Sequence, residues 1–285
     1  ITLPNIDAAM MAVIERASER IVLYELGIEP IEASGDRDAS IEVFPFQGKE
    51  KRHQTIADVN GDGLPDVIAT NTDDNTIVIY PQTATEGLSA GIPSPTLSGV
   101  EGIAVCDIDQ DGVEDLFVLS EDEGVVGRSP LTVSHIPFPQ PMPISVGHTP
   151  VSLDAVQIDG VWKIAVVSKK KREYALDLID SDGNIETVNL GSLSRGPNEI
   201  VAFDADQDSH VDLLLLTRDK PMMMLQATDD GFKLLEDSDM GQFGLVRAAS
   251  ADNTAIIDID GDNHPELLIA DDNFVRAVRY EPQTT

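Results

Sequence analysis

The sequence predicts an all-β fold, a β-propeller of about six to seven four-stranded antiparallel blades with an acidic loop between the first and second strands. Three observations point there. An acidic nine-residue pattern recurs at near-constant spacing, short apolar runs flank each copy, and 41% of the 285 residues are hydrophobic. That fraction is too high for a disordered acidic tail and suits a chain with a large core.

The period comes first, because self-similarity every 20 to 50 residues or so sets the architecture before single elements are read. Asp-Val-Asn-Gly-Asp-Gly-Leu-Pro-Asp begins at Asp58, Asp-Ile-Asp-Gln-Asp-Gly-Val-Glu-Asp at Asp107, Asp-Ala-Asp-Gln-Asp-Ser-His-Val-Asp at Asp204, and Asp-Ile-Asp-Gly-Asp-Asn-His-Pro-Glu at Asp258. The starts lie 49, 97 and 54 residues apart. A gap of 97 is about twice 49 and predicts a copy near residue 155 that has lost its acids, with Ala155, Gln157, Asp159 and Lys163 at the equivalent positions ahead of the apolar run Ile164 to Val167. RIVLYE from Arg20 aligns with RAVRYE from Arg276 at an offset of 256, which places another acid-free loop start at Thr2. Six repeat positions, near 2, 58, 107, 155, 204 and 258, thus cover residues 1–285 as a single domain that is expected to be truncated at both ends.

The elements follow from this register. Asp7 to Arg20 is rich in helix-favouring Ala, Met, Glu and Arg, but the repeat makes it strand, turn and strand, with a fourth strand over Ser40 to Phe46. Gly102 to Val105 and Ile200 to Phe203 precede their loops as first strands; Leu116 to Leu119 and Leu213 to Leu216 follow as second strands. Apolar, β-branched runs of this length suit strands rather than helices. Polar turns come next, at Thr72 to Asn75, Glu121 to Gly124, Thr217 to Lys220 and Asp271 to Asn273, and then third strands such as Thr76 to Tyr80. The proline-rich PFPQPMP from Pro137 suits a blade-edge connection, since proline cannot donate to a ladder. Met222 to Met224 falls on a third strand and reads as packing.

The acidic loops carry the chemistry. Acids at positions 1, 3 and 5 of a tight turn converge, position 7 offers a backbone carbonyl and position 9 closes the site. Hard oxygen donors in that number suit Ca²⁺ rather than a softer metal. The four sets are Asp58, Asn60, Asp62, Leu64 and Asp66; Asp107, Asp109, Asp111, Val113 and Asp115; Asp204, Asp206, Asp208, His210 and Asp212; and Asp258, Asp260, Asp262, His264 and Glu266. Up to four calcium ions are expected. Position 6 should need a left-handed backbone and holds Gly63, Gly112, Ser209 and Asn263, so the Asp204 site should be the weakest. An EF-hand begins with the same letters but requires Glu at position 12, where this chain has Ala69, Val118, Leu215 and Ile269. Fifteen of the 51 acids sit in these turns and would repel strongly with no cation bound.

With the apolar strand, D-x-[DN]-x-[DN]-G-x-x-D and aliphatic strand of TIADVNGDGLPDVIAT and IAVCDIDQDGVEDLFVLS in view, the chain resembles the FG-GAP or VCBS repeats, whose blades also build the propeller of integrin α-subunits. Gly147 to Pro150 and Gly196 to Pro197 look like the VCBS lead-in. The resemblance implies the fold and structural calcium. It says less about activity, because such propellers serve adhesins, cell-surface binding proteins and accessory domains of polysaccharide-degrading enzymes. The acid-free copies depart from the family pattern, and its Phe-Gly element survives clearly only at Phe243 and Gly244.

Composition narrows the function. The formal charge of −32, from 51 acidic and 19 basic residues, argues against nucleic acid or an anionic membrane as partner. No apolar run approaches the roughly 20 residues of a membrane span. Cys106, the only cysteine, excludes a disulfide scaffold and reads as a small core residue. His53, His135, His148, His210 and His264 are scattered and form no catalytic constellation. The expectation is therefore a secreted, periplasmic or cell-surface binding module for a protein or glycan, not an enzyme. The alternative is a domain of a hydrolase or lyase acting on polysaccharide or another ester-rich substrate. Lys169, Lys170, Lys171 and Arg172 form the one basic island. In a four-stranded meander they fall at the end opposite the acidic loops, and a partner is expected to dock there.

Overall fold

A computed structural model describes the strands Ala9–Glu15, Arg20–Leu26 and Glu42–Pro45, and residues 53–84, 87–132, 135–217, 220–229, 231–235, 239, 246, 249, 253–259, 265–271 and 274–279. Every regular element among them is a β-strand, and all pairing is antiparallel, between strands consecutive in sequence except where a small hairpin intervenes. The first sheet holds β1 (Ala9–Glu15), β2 (Arg20–Leu26) and β3 (Glu42–Pro45) in that order. Strand thus prevails over helix propensity at Ala9–Glu15, and the turn expected before Arg20 lies outside the described residues. The first loop start at Thr2 and the Phe243–Gly244 element lie outside the described residues.

Five blades then succeed one another. The Asp58 blade contains β4 (Gln54–Ala57), β5 (Asp66–Asn71), β6 (Thr76–Tyr80) and, after a small hairpin of β7 (Gln82–Thr83) and β8 (Gly87–Leu88), β9 (Ile92–Pro95). The Asp107 blade contains β10 (Val100–Cys106), β11 (Asp115–Ser120), β12 (Val125–Pro130) and β13 (Gln140–Pro141). The central blade follows with β14 (Thr149–Ile158), β15 (Val161–Lys170), β16 (Glu173–Ile179) and β17 (Ile185–Ser192). The Asp204 blade has β18 (Glu199–Phe203), β19 (Asp212–Leu216), β20 (Met223–Thr228) and β21 (Gly231–Leu235). The Asp258 blade has β22 (Thr254–Ile257), β23 (Glu266–Asp271) and β24 (Phe274–Val278). Among the described residues the blades number five, where the repeat count predicts six to seven. The proline-rich segment supplies β13, an edge strand paired to β12 only through Gly127↔Pro141 and Arg128↔Gln140.

Alternation within the second strands explains their unbroken apolar runs. Leu116 and Val118 pack with Ile68, Ile77 and Ile79 of the preceding blade, whereas Phe117 and Leu119 pack with Ile164 and Val166 of the following one. In turn Ala165 and Val167 meet Leu213 and Leu215, and Leu214 and Leu216 meet Leu267 and Ile269. Successive strand side chains point to opposite faces, and here each face is covered by a different blade. Both sets are therefore buried, and each such Leu or Ile contributes about 1.5–3 kcal/mol by leaving water. Cys106 and Met224 are 2% exposed within these interfaces, and burial pushes the Cys106 thiol up to about 12, which suits packing and not nucleophilic chemistry.

The acid-free copy near residue 155 has changed more than its ligands. β14 and β15 pair without a loop as far as Ile158↔Val161, closing on Asp159 (φ 51°) and Gly160 (φ 79°). Two successive positive φ values are those of a tight hairpin turn. Ala155 and Gln157 lie inside β14 and Lys163 inside β15, so the loop has been replaced by strand.

Candidate functional site

Each acidic loop joins a first to a second strand, so the loops share one end of their blades. Position 1 organises the turn. Asp58 accepts from the N–H of Gly61 (2.8 Å), Asp62 (3.2 Å) and Gly63 (2.8 Å); Asp107 accepts from Asp111 (3.1 Å) and Gly112 (2.9 Å); Asp204 accepts from Asp208 (3.1 Å) and Ser209 (3.0 Å). Position 5 accepts from the N–H of position 7 at 2.8 Å in all three: Leu64 to Asp62, Val113 to Asp111 and His210 to Asp208. Asp62 N–H also donates to Asn60 at 2.8 Å. Backbone donors thus hold the side chains of positions 1 and 5 in all three turns, and that of position 3 in the Asp58 and Asp204 loops.

In the second and third loops the convergence is close. Asp107, Asp109 and Asp111 each bring a carboxylate oxygen within 4.8 Å of the others, as do Asp204, Asp206 and Asp208. Calcium–oxygen bonds of about 2.3–2.6 Å let ligands of one ion lie up to about 5 Å apart, so both triads fit a hard cation by spacing and by chemistry. The expected left-handed backbone at position 6 is present at Gly63 (φ 83°), Gly112 (φ 87°) and Ser209 (φ 72°). Position 4 is left-handed too, at Gly61, Gln110 and Gln207, which the sequence pattern does not announce because two of the three are glutamines. Of the fourth set, Asp260, Asp262 and His264, with Asn263, lie outside the described residues, and Asp258 and Glu266 within them.

Position 9 differs from the simple expectation of a closing ligand. Asp66, Asp115, Asp212 and Glu266 are all buried and tie the loop to its own blade. Asp66 accepts from the N–H of Val59 (3.0 Å) and Gln82 (2.7 Å), and Asp212 from Ala205 (3.1 Å) and Ala227 (2.8 Å). Glu266 accepts from Ile259 N–H at 3.1 Å and from Arg279. Asp115 instead takes both oxygens to Arg128, at 2.9 Å from Nε and 2.6 Å from Nη2, and the same guanidinium reaches Asp109. Burial raises the Asp66 and Asp115 carboxyls, and lifts Asp212 to about 6 against its two backbone hydrogen bonds. In the third loop Gln226 Nε2 donates to Asp206 at 2.6 Å. Arg128, Gln226 and Arg279 were not visible as site residues in the repeat, since they stand on or beside third strands outside the motif.

The opposite end holds a cavity of about 790 Å³ where first strands begin and second strands end. His53, Glu121, Asp154, Lys169, Tyr174 and Arg195 are among the residues lining it. Lys169 pairs with Glu121 of the preceding blade, so the basic island stands beside acids. Lys171 and Arg172 form the turn into β16, and Lys171 has φ 62°. Asp154 accepts from Ile200 N–H at 2.8 Å, yet burial pushes its carboxyl up to about 8. Gly196, in the lead-in of the Asp204 blade, lies so close to the Tyr174 ring that a methyl group there would collide with it. Of the histidines, His148 shares a hydrogen bond with Ser168 Oγ at 3.1 Å and His210 lies 3.3 Å from Asp208.

The geometry defines a repeat propeller with acidic loops at one end, and comparison with known proteins agrees. The family model of the FG-GAP-like repeat matches residues 58–118, so the chain carries an FG-GAP repeat in a β-propeller. No curated protein matches the chain by sequence. A crystal structure from Bacteroides uniformis, provisionally described as a 6-phosphogluconolactonase, is similar at TM-score 0.55 and 13% identity over 97% of this chain and 79% of that one. A protein from Lactobacillus plantarum aligns at TM-score 0.33 and 14% identity over 80% of this chain and 66% of that one. At such identity the Bacteroides likeness speaks to fold alone.

Proposed function

We propose that this chain is a calcium-stabilised binding module, secreted, periplasmic or on a cell surface, that recognises a protein or glycan. The observation that carries the calcium reading is the pair of carboxylate triads within 4.8 Å at the same place in two blades. Calcium there would neutralise acids that a turn otherwise crowds together, and millimolar extracellular calcium would fill even weak sites. Isothermal titration with Ca²⁺ should show Asp204→Asn to lose one ion and keep the others; an unchanged stoichiometry contradicts the assignment.

We assign the ligand to the other end, where Lys169 lines the cavity and Lys170, Lys171 and Arg172 follow it in the chain. Turns at the loop end are committed to their internal hydrogen bonds, which leaves the cavity end freer to recognise. An acidic glycan such as polygalacturonate is the first probe. Replacing Lys169, Lys170, Lys171 and Arg172 by Ser should weaken its binding in a salt-dependent way with calcium content unchanged; equal affinity in the two proteins removes the face assignment.

A second reading, a hydrolase or lyase acting on polysaccharide or another ester-rich substrate, is favoured by one observation. A carboxyl pushed to about 8 at Asp154 carries a proton at neutral pH and could act as a general acid in the cavity. Under that reading Asp154→Asn abolishes turnover of such a substrate; under the binding reading no turnover is found in either protein.

A further inference from the structure

The Asp107 loop differs from the Asp58 and Asp204 loops in one respect that bears on metal dependence. Its closing carboxylate is bound by a cation of the chain itself. Arg128 Nε and Nη2 hold the two oxygens of Asp115 at 2.9 and 2.6 Å, and Nη2 also bonds Asp109 Oδ2. Asp115 is buried, and Arg128 has 28% of its side chain exposed. A bidentate guanidinium–carboxylate pair is among the stronger and more directional of charged contacts. In the Asp58 and Asp204 loops the same closing position, Asp66 or Asp212, meets only backbone N–H donors among the bonds given above. In the Asp204 loop the third-strand contact to position 3 is the neutral amide of Gln226.

We propose that Arg128 is a built-in counter-cation that holds the Asp107 loop in shape without calcium, whereas the Asp204 loop depends on the metal. The proposal rests on the calcium reading for the Asp204 loop but not for the arginine clamp. Geometry supports it in three ways. The guanidinium spans positions 3 and 9, fixing both ends of the loop to β12. It brings a positive charge to a turn with acids at positions 1, 3, 5 and 9 and with Glu114 beside them. It also leaves a carboxylate oxygen of each of Asp107, Asp109 and Asp111 within 4.8 Å of the others, so calcium can still bind there without recruiting Asp115. The Asp258 blade repeats the device: Arg279 bonds Glu266 thirteen residues earlier, the same separation as Arg128 from Asp115.

Arg128→Gln tests this, because it gives the Asp107 loop the neutral amide that the Asp204 loop already has. Amide hydrogen exchange is followed in the full chain at Asp111, Gly112 and Val113 and at Asp208, Ser209 and His210, in EDTA and in millimolar Ca²⁺. In EDTA the parent protein should protect the first trio at least about tenfold more than the second. In EDTA Arg128→Gln should erase that difference and Arg128→Lys should retain part of it, and calcium should restore protection of the first trio in Arg128→Gln. If Arg128→Gln leaves protection of the Asp107 loop in EDTA unchanged, or if the parent loops are equally unprotected there, the proposal is overturned. Loss of protection that calcium fails to restore upholds the clamp and overturns calcium binding at that loop instead.

Discussion

At the scale of single residues the backbone of position 6 decides how well each loop fits its turn. Ser209 carries a Cβ at φ 72°, where Gly63 and Gly112 carry none, and a left-handed residue with a side chain costs about 1–2 kcal/mol. Ser209→Gly should therefore stabilise the calcium-free protein by about 1 kcal/mol in denaturant titration; a neutral or negative effect would mean that the serine hydroxyl has a role of its own. Asp154 makes a second prediction. Its folded carboxyl titrates near 8 against an ordinary 3.8, so the folded state binds the extra proton between those values. Stability in EDTA should then fall as pH rises through that window and level off above it. Asp154→Asn should flatten this slope between about pH 5 and pH 8, and an unaltered slope would assign it to other groups. Position 6 could be read from the sequence because glycine marks a left-handed turn. Asp154 could not, because its burial arises from β14, the Ile200 backbone and the cavity walls, which no local pattern joins.

At the scale of elements, the second strands were legible for a physical reason. Leu116 to Leu119 and Leu213 to Leu216 are apolar at every position because each of their faces meets a different blade. Leu215→Ala should cost about 2–5 kcal/mol, and Leu214→Ala a similar amount through the other interface. Because the two truncations open different cores, a double variant should lose close to the sum in denaturant titration; strong non-additivity would mean that the interfaces are coupled. Arg128 was not legible, since its role depends on strand register. It stands opposite Phe117 and reaches diagonally to Asp115, whereas Leu267↔Val278 continues to Glu266 beside Arg279. The same separation in sequence thus meets the same carboxylate by two routes. The acid-free copy was half legible: its spacing located β15, but the replacement of a loop by a hairpin turns on Asp159 and Gly160, which the repeat had aligned as loop positions.

At the scale of the whole molecule, the period of about fifty residues gave the propeller, while the blade count did not follow from loop positions alone. Five blades stack through four apolar interfaces, and among the described residues acidic loops stand at one end of the Asp58, Asp107 and Asp204 blades, with the cavity at the other. The charge of −32 is concentrated enough in those loops for a bound cation to stabilise the fold by mass action. The most direct measurement is metal counting on the purified chain after equilibration with Ca²⁺, paired with melting in EDTA and in millimolar Ca²⁺. Calcium should be found bound at up to four ions per chain, with melting raised by several degrees. A chain that retains no calcium and melts at the same temperature in both buffers would contradict the account.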